Sequence, residues 1–130
     1  HAYEIEVDVE VIGAGRAGMA LFYSPACFLG LGLRRTSCDL VCHQREWSLE
    51  SGDFRRARLR IRNDRHEVSL AVRPAGRPWH EFRDTFETSG YHHNVFGGFL
   101  SLRPALWSAG SGAAVFRNFS CRPIRIRDGL

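Results

Sequence analysis

From Tyr3 to Val11 the chain alternates without a break. Tyr3, Ile5, Val7, Val9 and Val11 fall on one side, and Glu4, Glu6, Asp8 and Glu10 on the other. A strict period of two with β-branched residues on one side predicts a strand with one buried face and one face in water. The period returns where Arg56, Arg58, Arg60 and Arg62 alternate with Ala57, Leu59 and Ile61, and again at Val68, Leu70 and Val72. Between these two runs Asn63-Asp64 predicts a turn. Met19 to Ser24 and Cys27 to Arg34 read as strands parted by Ser24-Pro25, with Gly13 to Arg16 as the turn before them. Ser37 to Gln44 is a further short strand, whereas residues 45–55, carrying Trp47, read as loop. Pro74 to Pro78 is a turn leading into Trp79. Residues 88–98 read as a loop, and Phe99–Leu106 and Ala114–Cys121 as the last strands.

No window of eleven residues or more carries a 3.6 period. Many short strands punctuated by Gly and Pro predict an all-β fold, an antiparallel sandwich. There is no linker and no internal repeat, so residues 1–130 form one unit. In Leu29-Gly30-Leu31-Gly32-Leu33 the glycines take alternate positions, so one face of that strand lacks side chains. Such a face admits a packed aromatic, another backbone or a ligand.

Composition narrows the class. At 44% hydrophobic and 25% charged the chain is neither disordered nor membrane-like. No apolar run approaches eighteen residues, so no membrane helix is expected. The chain opens on His1 with a strand already running by Tyr3, and reads as a module cut from a longer polypeptide or a processed product. The compartment stays unassigned: a soluble protein, bacterial cytoplasmic or secreted. All eighteen basic residues are Arg, which against fourteen acids gives +4.

Position matters more than the sum. Four Arg on alternate places make a positive row about 20 Å long. The first strand offers Glu4, Glu6, Asp8 and Glu10 as a matching negative row, so the leading reading is a cross-strand ladder of ion pairs. A sugar- or domain-facing role comes second. Nucleic acid comes last, because few aromatics interleave the stripe and a single-strand platform needs them.

Cys38 and Cys42 lie about 13 Å apart along a strand, too far for one disulfide or one metal ion. Buried thiols are the leading reading, and pairing of Cys27 or Cys38 with Cys121 is compatible with the pattern. Gly13-Ala14-Gly15-Arg16-Ala17-Gly18 spells G-x-G-x-x-G, but a strand follows it rather than a helix, so the dinucleotide reading fails. Paired carboxylates for glycoside hydrolysis are not evident, since the acids lie on a solvated stripe or in loops. Glu87 is the one acid beside an aromatic loop.

That loop is the richest segment. Tyr91, His92, His93, Asn94 and Phe96 combine rings, imidazoles and an amide, a set suited to stacking on sugar faces and binding hydroxyls. No acid lies within four positions of the His pair, so no metal site is expected there. No cofactor is implied, although a structural calcium ion is left open. Trp47, Trp79 and Trp107 are further candidate stacking rings.

Three stretches carry a family resemblance. Ala17 to Ser24 looks like an A-G-L-x-L-x-Y strand, followed by the strand of alternating Gly. Val68 to Trp79 resembles a strand-turn-Trp hairpin, with Pro74-Ala75-Gly76 in place of the usual Ser/Asp-Gly turn. Phe96 to Leu102 through Phe116-Arg117-Asn118-Phe119 looks like the closing F-x-G-x-F-x-G-L … F-x-x-F pattern. Together they resemble the C-terminal β-sandwich module of glycoside hydrolase family 43, the β-xylosidase and α-arabinofuranosidase group. The resemblance implies a concanavalin A-like jelly roll that is not itself catalytic. It further implies packing on a catalytic propeller domain of the same polypeptide and a loop lent to the substrate-pocket rim. The matching loop is Tyr91 to Phe99, with Phe96 as the aromatic and His92, His93 and Asn94 as polar contacts to a xylo- or arabino-oligosaccharide. The rival expectation is an autonomous carbohydrate-binding module.

Overall fold

A computed structural model describes residues 2–24, 27–42, 45–64, 67–82, 86–87 and 103–124, with side chains described outside 23–27, 45–47 and 86–87. Its strands run β1 (Ala2–Ile12), β2 (Arg16–Ser24), β3 (Cys27–Arg34), β4 (Ser37–Cys42), β5 (Arg45–Ser51) and β6 (Arg56–Asp64). Then come β7 (Glu67–Pro74), β8 (His80–Glu81), β9 (Phe86–Glu87), β10 (Arg103–Ala109) and β11 (Ala113–Pro123). No helix occurs among the described residues. All pairings are antiparallel. One sheet runs β11-β1-β6-β7-β8, with β9 beside β8 on the same flank of β7, and the other runs β10-β2-β3-β4-β5. The expected antiparallel sandwich of the jelly-roll class is the observed fold.

The alternation read from the sequence explains the core. Ile5, Val7 and Val9 of β1, Leu59 and Ile61 of β6, and Val68, Leu70 and Val72 of β7 face inward and are buried. Met19 and Leu21 of β2, Leu29, Leu31 and Leu33 of β3, and Leu40 of β4 meet them from the second sheet. Burying each such side chain is worth about 1.5–3 kcal/mol. Phe54, nearly fully buried, closes one end beneath the turn between β5 and β6.

Three boundaries differ from the sequence reading. Residues 45–51 form strand β5 rather than loop: Trp47 lies opposite Leu40 in the register, and Leu49 packs against the core. The turn expected at Asn63-Asp64 comes later, because β6 continues through Asp64. The strand expected to end at Leu106 runs on to Ala109, so Trp107 lies within β10, and the last strand extends past Cys121 to Pro123.

Glycines place the backbone where side chains cannot go. A Cβ on Gly18 would sit 1.8 Å from the Leu31 carbonyl oxygen, and one on Gly15 only 2.6 Å from that of Ser111. Gly13 and Gly112, both at positive φ, let the arches after β1 and β10 nest together, with a Gly112 Cβ 2.3 Å from the Ile12 carbonyl. The G-x-G-x-x-G string therefore serves arch packing. Cys38 is a buried thiol and Cys121 an exposed one, neither in a disulfide, so the Cys121 pairings left open by the sequence do not form.

Candidate functional site

The outer face of the first sheet is a lattice of charge. In the register Glu4 stands opposite Arg62, Glu6 opposite Arg60, Asp8 opposite Arg58 and Glu10 opposite Arg56, the ladder that the two alternating rows predict. Its strongest node is Arg58, which donates through Nε to Glu6 at 2.6 Å and through Nη1 to Asp8 at 2.9 Å. Arg60 reaches across to Glu81 of β8 at 2.9 Å.

The opposite flank of β1 adds a second set of donors. Arg122 bonds Glu4 through Nε at 3.2 Å and lies 3.6 Å from Glu6, while Arg117 lies 3.4 Å from Glu10. A bulge between Glu6 and Asp8 puts Asn118 of β11 at φ 55°. From there Asn118 Nδ2 donates to Asp8 at 2.8 Å, and its carbonyl accepts from Arg58 at 3.2 Å. The face expected in water is therefore covered by arginines from both neighbouring strands, and Glu4 is buried. Burial raises the carboxyl pKa of Glu4, yet the hydrogen bond and charge of Arg122 outweigh it and leave the net value lowered. Burial opposes ionisation of Asp8 too, and the Asn118 and Arg58 bonds again lower the net value.

The tryptophans do not converge. Trp79 packs against the guanidinium groups of Arg60 and Arg73, 4.2 and 5.2 Å from its ring centre, beside the outer face of the first sheet. Trp107 belongs to the outer face of the second sheet, paired with Gly18. Its ring edge occupies the space a Cβ on Gly32 would take, 2.7 Å away, and Arg16 sits 5.7 Å over the ring. The bare face of β3 is thus filled at Gly32 by a packed aromatic. Trp107, Gly18, Gly32 and Asp39 stand side by side in the register across β10, β2, β3 and β4, and Arg34 holds Asp39 at 3.0 Å. Trp47 is placed by its backbone only. Tyr91, His92, His93, Asn94 and Phe96 lie outside the described residues, as does the Glu87 side chain.

Arg56 of the alternating row gathers at one end of the sandwich with arginines that the sequence did not single out. Arg55 and Arg56 at the entry to β6, Arg73 near the end of β7 and Arg77 in the turn after it share a pair of connected grooves. Arg55 holds Asp53 in a two-pronged pair, Nε at 2.9 Å and Nη2 at 2.8 Å, which keeps the Asp53 carboxyl well below its ordinary range. Their common signal was position: each Arg sits at a turn or strand end on the same pole of an up-and-down chain. Among the described residues no three His, Cys, Asp or Glu side chains come together as metal ligands.

No protein-family model matches this chain, and no curated protein matches it in sequence. Its fold is shared with solved structures. A mutant of the GH43 protein BlXynB from Bacillus licheniformis superposes with a TM-score of 0.73 at 16% identity, over 95% of this chain and 28% of that one. A xylan beta-1,4-xylosidase from Bacillus halodurans gives 0.76 at 14% identity, over 93% and 27%. A functionally unknown protein from Saccharomyces cerevisiae gives 0.64 at 14% identity, over 95% and 70%. The chain thus has the fold of a β-sandwich module of GH43 proteins, as its motifs imply, and spans just over a quarter of the two bacterial chains.

Proposed function

We propose that the chain is a non-catalytic accessory β-sandwich of a hemicellulose-degrading glycoside hydrolase. It packs on a catalytic propeller of the same polypeptide and contributes the 91–99 loop to the rim of the substrate pocket. The observation that carries this reading is the coverage: nearly all of this chain matches only 28% of the GH43 chain. The electrostatics support it. A glycosidase acid needs a carboxyl whose pKa is raised, whereas Glu4 and Asp8 are lowered by the arginines and the amide that bind them. Closing a sugar pocket with a loop from a rigid sandwich excludes water and orients the substrate.

A second reading, an autonomous carbohydrate-binding module, draws support from the half-buried Trp107 ring on the second sheet. Calorimetry of the chain with xylo-oligosaccharides separates the two. Silence is the expected result, and a saturable heat abolished by Trp107→Ala would overturn the accessory reading in favour of the second.

A further inference from the structure

One end of the first sheet gathers more guanidinium groups than carboxylates. Arg56 opens β6, Arg73 lies near the end of β7, and Arg77 is in the turn that follows. That turn is fixed: the Ala75 amide donates to the Arg56 carbonyl at 3.1 Å and the Arg77 amide to the Pro74 carbonyl at 3.0 Å. The three side chains line a groove with Arg58, Arg117 and the carboxylates of Asp8 and Glu10. Asp8 is engaged by Arg58 and Asn118, and Glu10 by Arg117. Among the described residues, no carboxylate is within ion-pair distance of Arg56, Arg73 or Arg77. Moreover Arg58 and Arg73 stand directly opposite across β6 and β7. Like charges so placed cost stability, with Cβ atoms only about 5 Å apart. A fold that gathers five guanidinium groups in one groove against Asp8 and Glu10, with Arg73 and Arg77 acting on Asp8 and Asp53 only at a distance, is set to receive an anion.

We propose that this groove binds the carboxylates of an acidic oligosaccharide. Arg presents a planar fork that matches a carboxylate with two parallel hydrogen bonds. Forks about 5 Å apart across the strands and about 7 Å apart along β6 suit a linear chain bearing a charge on successive units. Single-stranded nucleic acid fits less well, since it needs free rings for its bases and the nearby Trp79 ring already meets Arg60 and Arg73. That the chain is a sugar rests on the glycoside-hydrolase reading. The groove is built from residues of β1, β6, β7 and β11 and the turn after β7, and takes in none of residues 91–99.

The test titrates the full chain with tetragalacturonate, its methyl ester, a single-stranded DNA oligonucleotide and a polyglutamate peptide of equal charge, each at two salt concentrations. Tetragalacturonate should bind at least tenfold more tightly than the other three and weaken with salt. The triple variant R56Q/R73Q/R77Q should lose at least tenfold in affinity with unchanged melting. Should the triple variant fail to fold, the single Arg77→Gln in its exposed turn should still lose about threefold, being one charged contact of several. No binding of tetragalacturonate, equal binding of the ester, equal or tighter binding of DNA or polyglutamate, or unchanged affinity of the variants would overturn the assignment. The accessory reading is tested by kinetics of the loop in the host enzyme, so either idea can fail without the other.

Discussion

Arg58 is the side chain on which the outer lattice turns, and Arg58→Met tests that directly. The change keeps a long apolar stem on β6 but removes the bonds to Glu6 at 2.6 Å and Asp8 at 2.9 Å. Arg58 and Glu6 are only 15% and 13% exposed, while Asp8 is 39% exposed. An exposed pair is worth under about 1 kcal/mol, and breaking a buried one costs about 3–5 kcal/mol. This node lies between, so a loss of about 2–3 kcal/mol is expected at pH 7. Urea unfolding at pH 7 and at pH 3 gives the measurement. Asp8, whose folded pKa is lowered, gives up its charge as the pH falls through that value, so the difference should be smaller at pH 3 than at pH 7. A loss under about 0.5 kcal/mol at pH 7, or an equal loss at both pH values, would refute the lattice as a source of stability.

Other outcomes follow from the same geometry. Glu4 and Asp8 have folded pKa values below their unfolded ones. Their contribution is therefore full above the unfolded values, near about 4, and is lost as pH falls through the folded ones. Thermal melting should drop over that window, and a melting temperature flat down to pH 2.5 would contradict it. Gly18→Val drives a side chain into the Leu31 carbonyl and should destabilise by about 3 kcal/mol, read by urea midpoint. Gly32→Ala displaces the Trp107 ring, so Trp fluorescence should shift to the red with a milder loss of about 1–2 kcal/mol. Burial pushes the Cys38 thiol far up. A thiol reagent should therefore modify Cys121 at once and Cys38 only on unfolding, mapped by mass spectrometry.

The first sheet was legible because its pattern is redundant. Acidic and basic rows of the same period specify both the inward faces of β1 and β6 and the register between them, since a one-residue slip would put like with unlike faces. Strand β5 was not legible, because its charged and polar residues hide the inward-packed Leu49 and a bulge between Cys38 and Asp39 interrupts its pairing. The burial of Glu4 has no local signal either. It depends on Arg122, 118 residues away, brought alongside by the β1–β11 pairing. The basic groove needed knowledge of which turns share one end of the sandwich. Trp79 and Trp107 looked equivalent in sequence, yet Trp107 lies within β10 of the second sheet, whereas Trp79, just ahead of β8, packs on Arg60 and Arg73 beside the first.

The central claim is that the sandwich serves a catalytic domain by completing its pocket. The most direct measurement compares kcat/KM on a xylo-oligosaccharide for the polypeptide joining this module to a propeller, with residues 91–99 intact or replaced by a short Gly-Ser linker. The account predicts a fall of at least tenfold, about 1.4 kcal/mol of transition-state stabilisation, with melting unchanged. Equal kcat/KM for the two forms would contradict it.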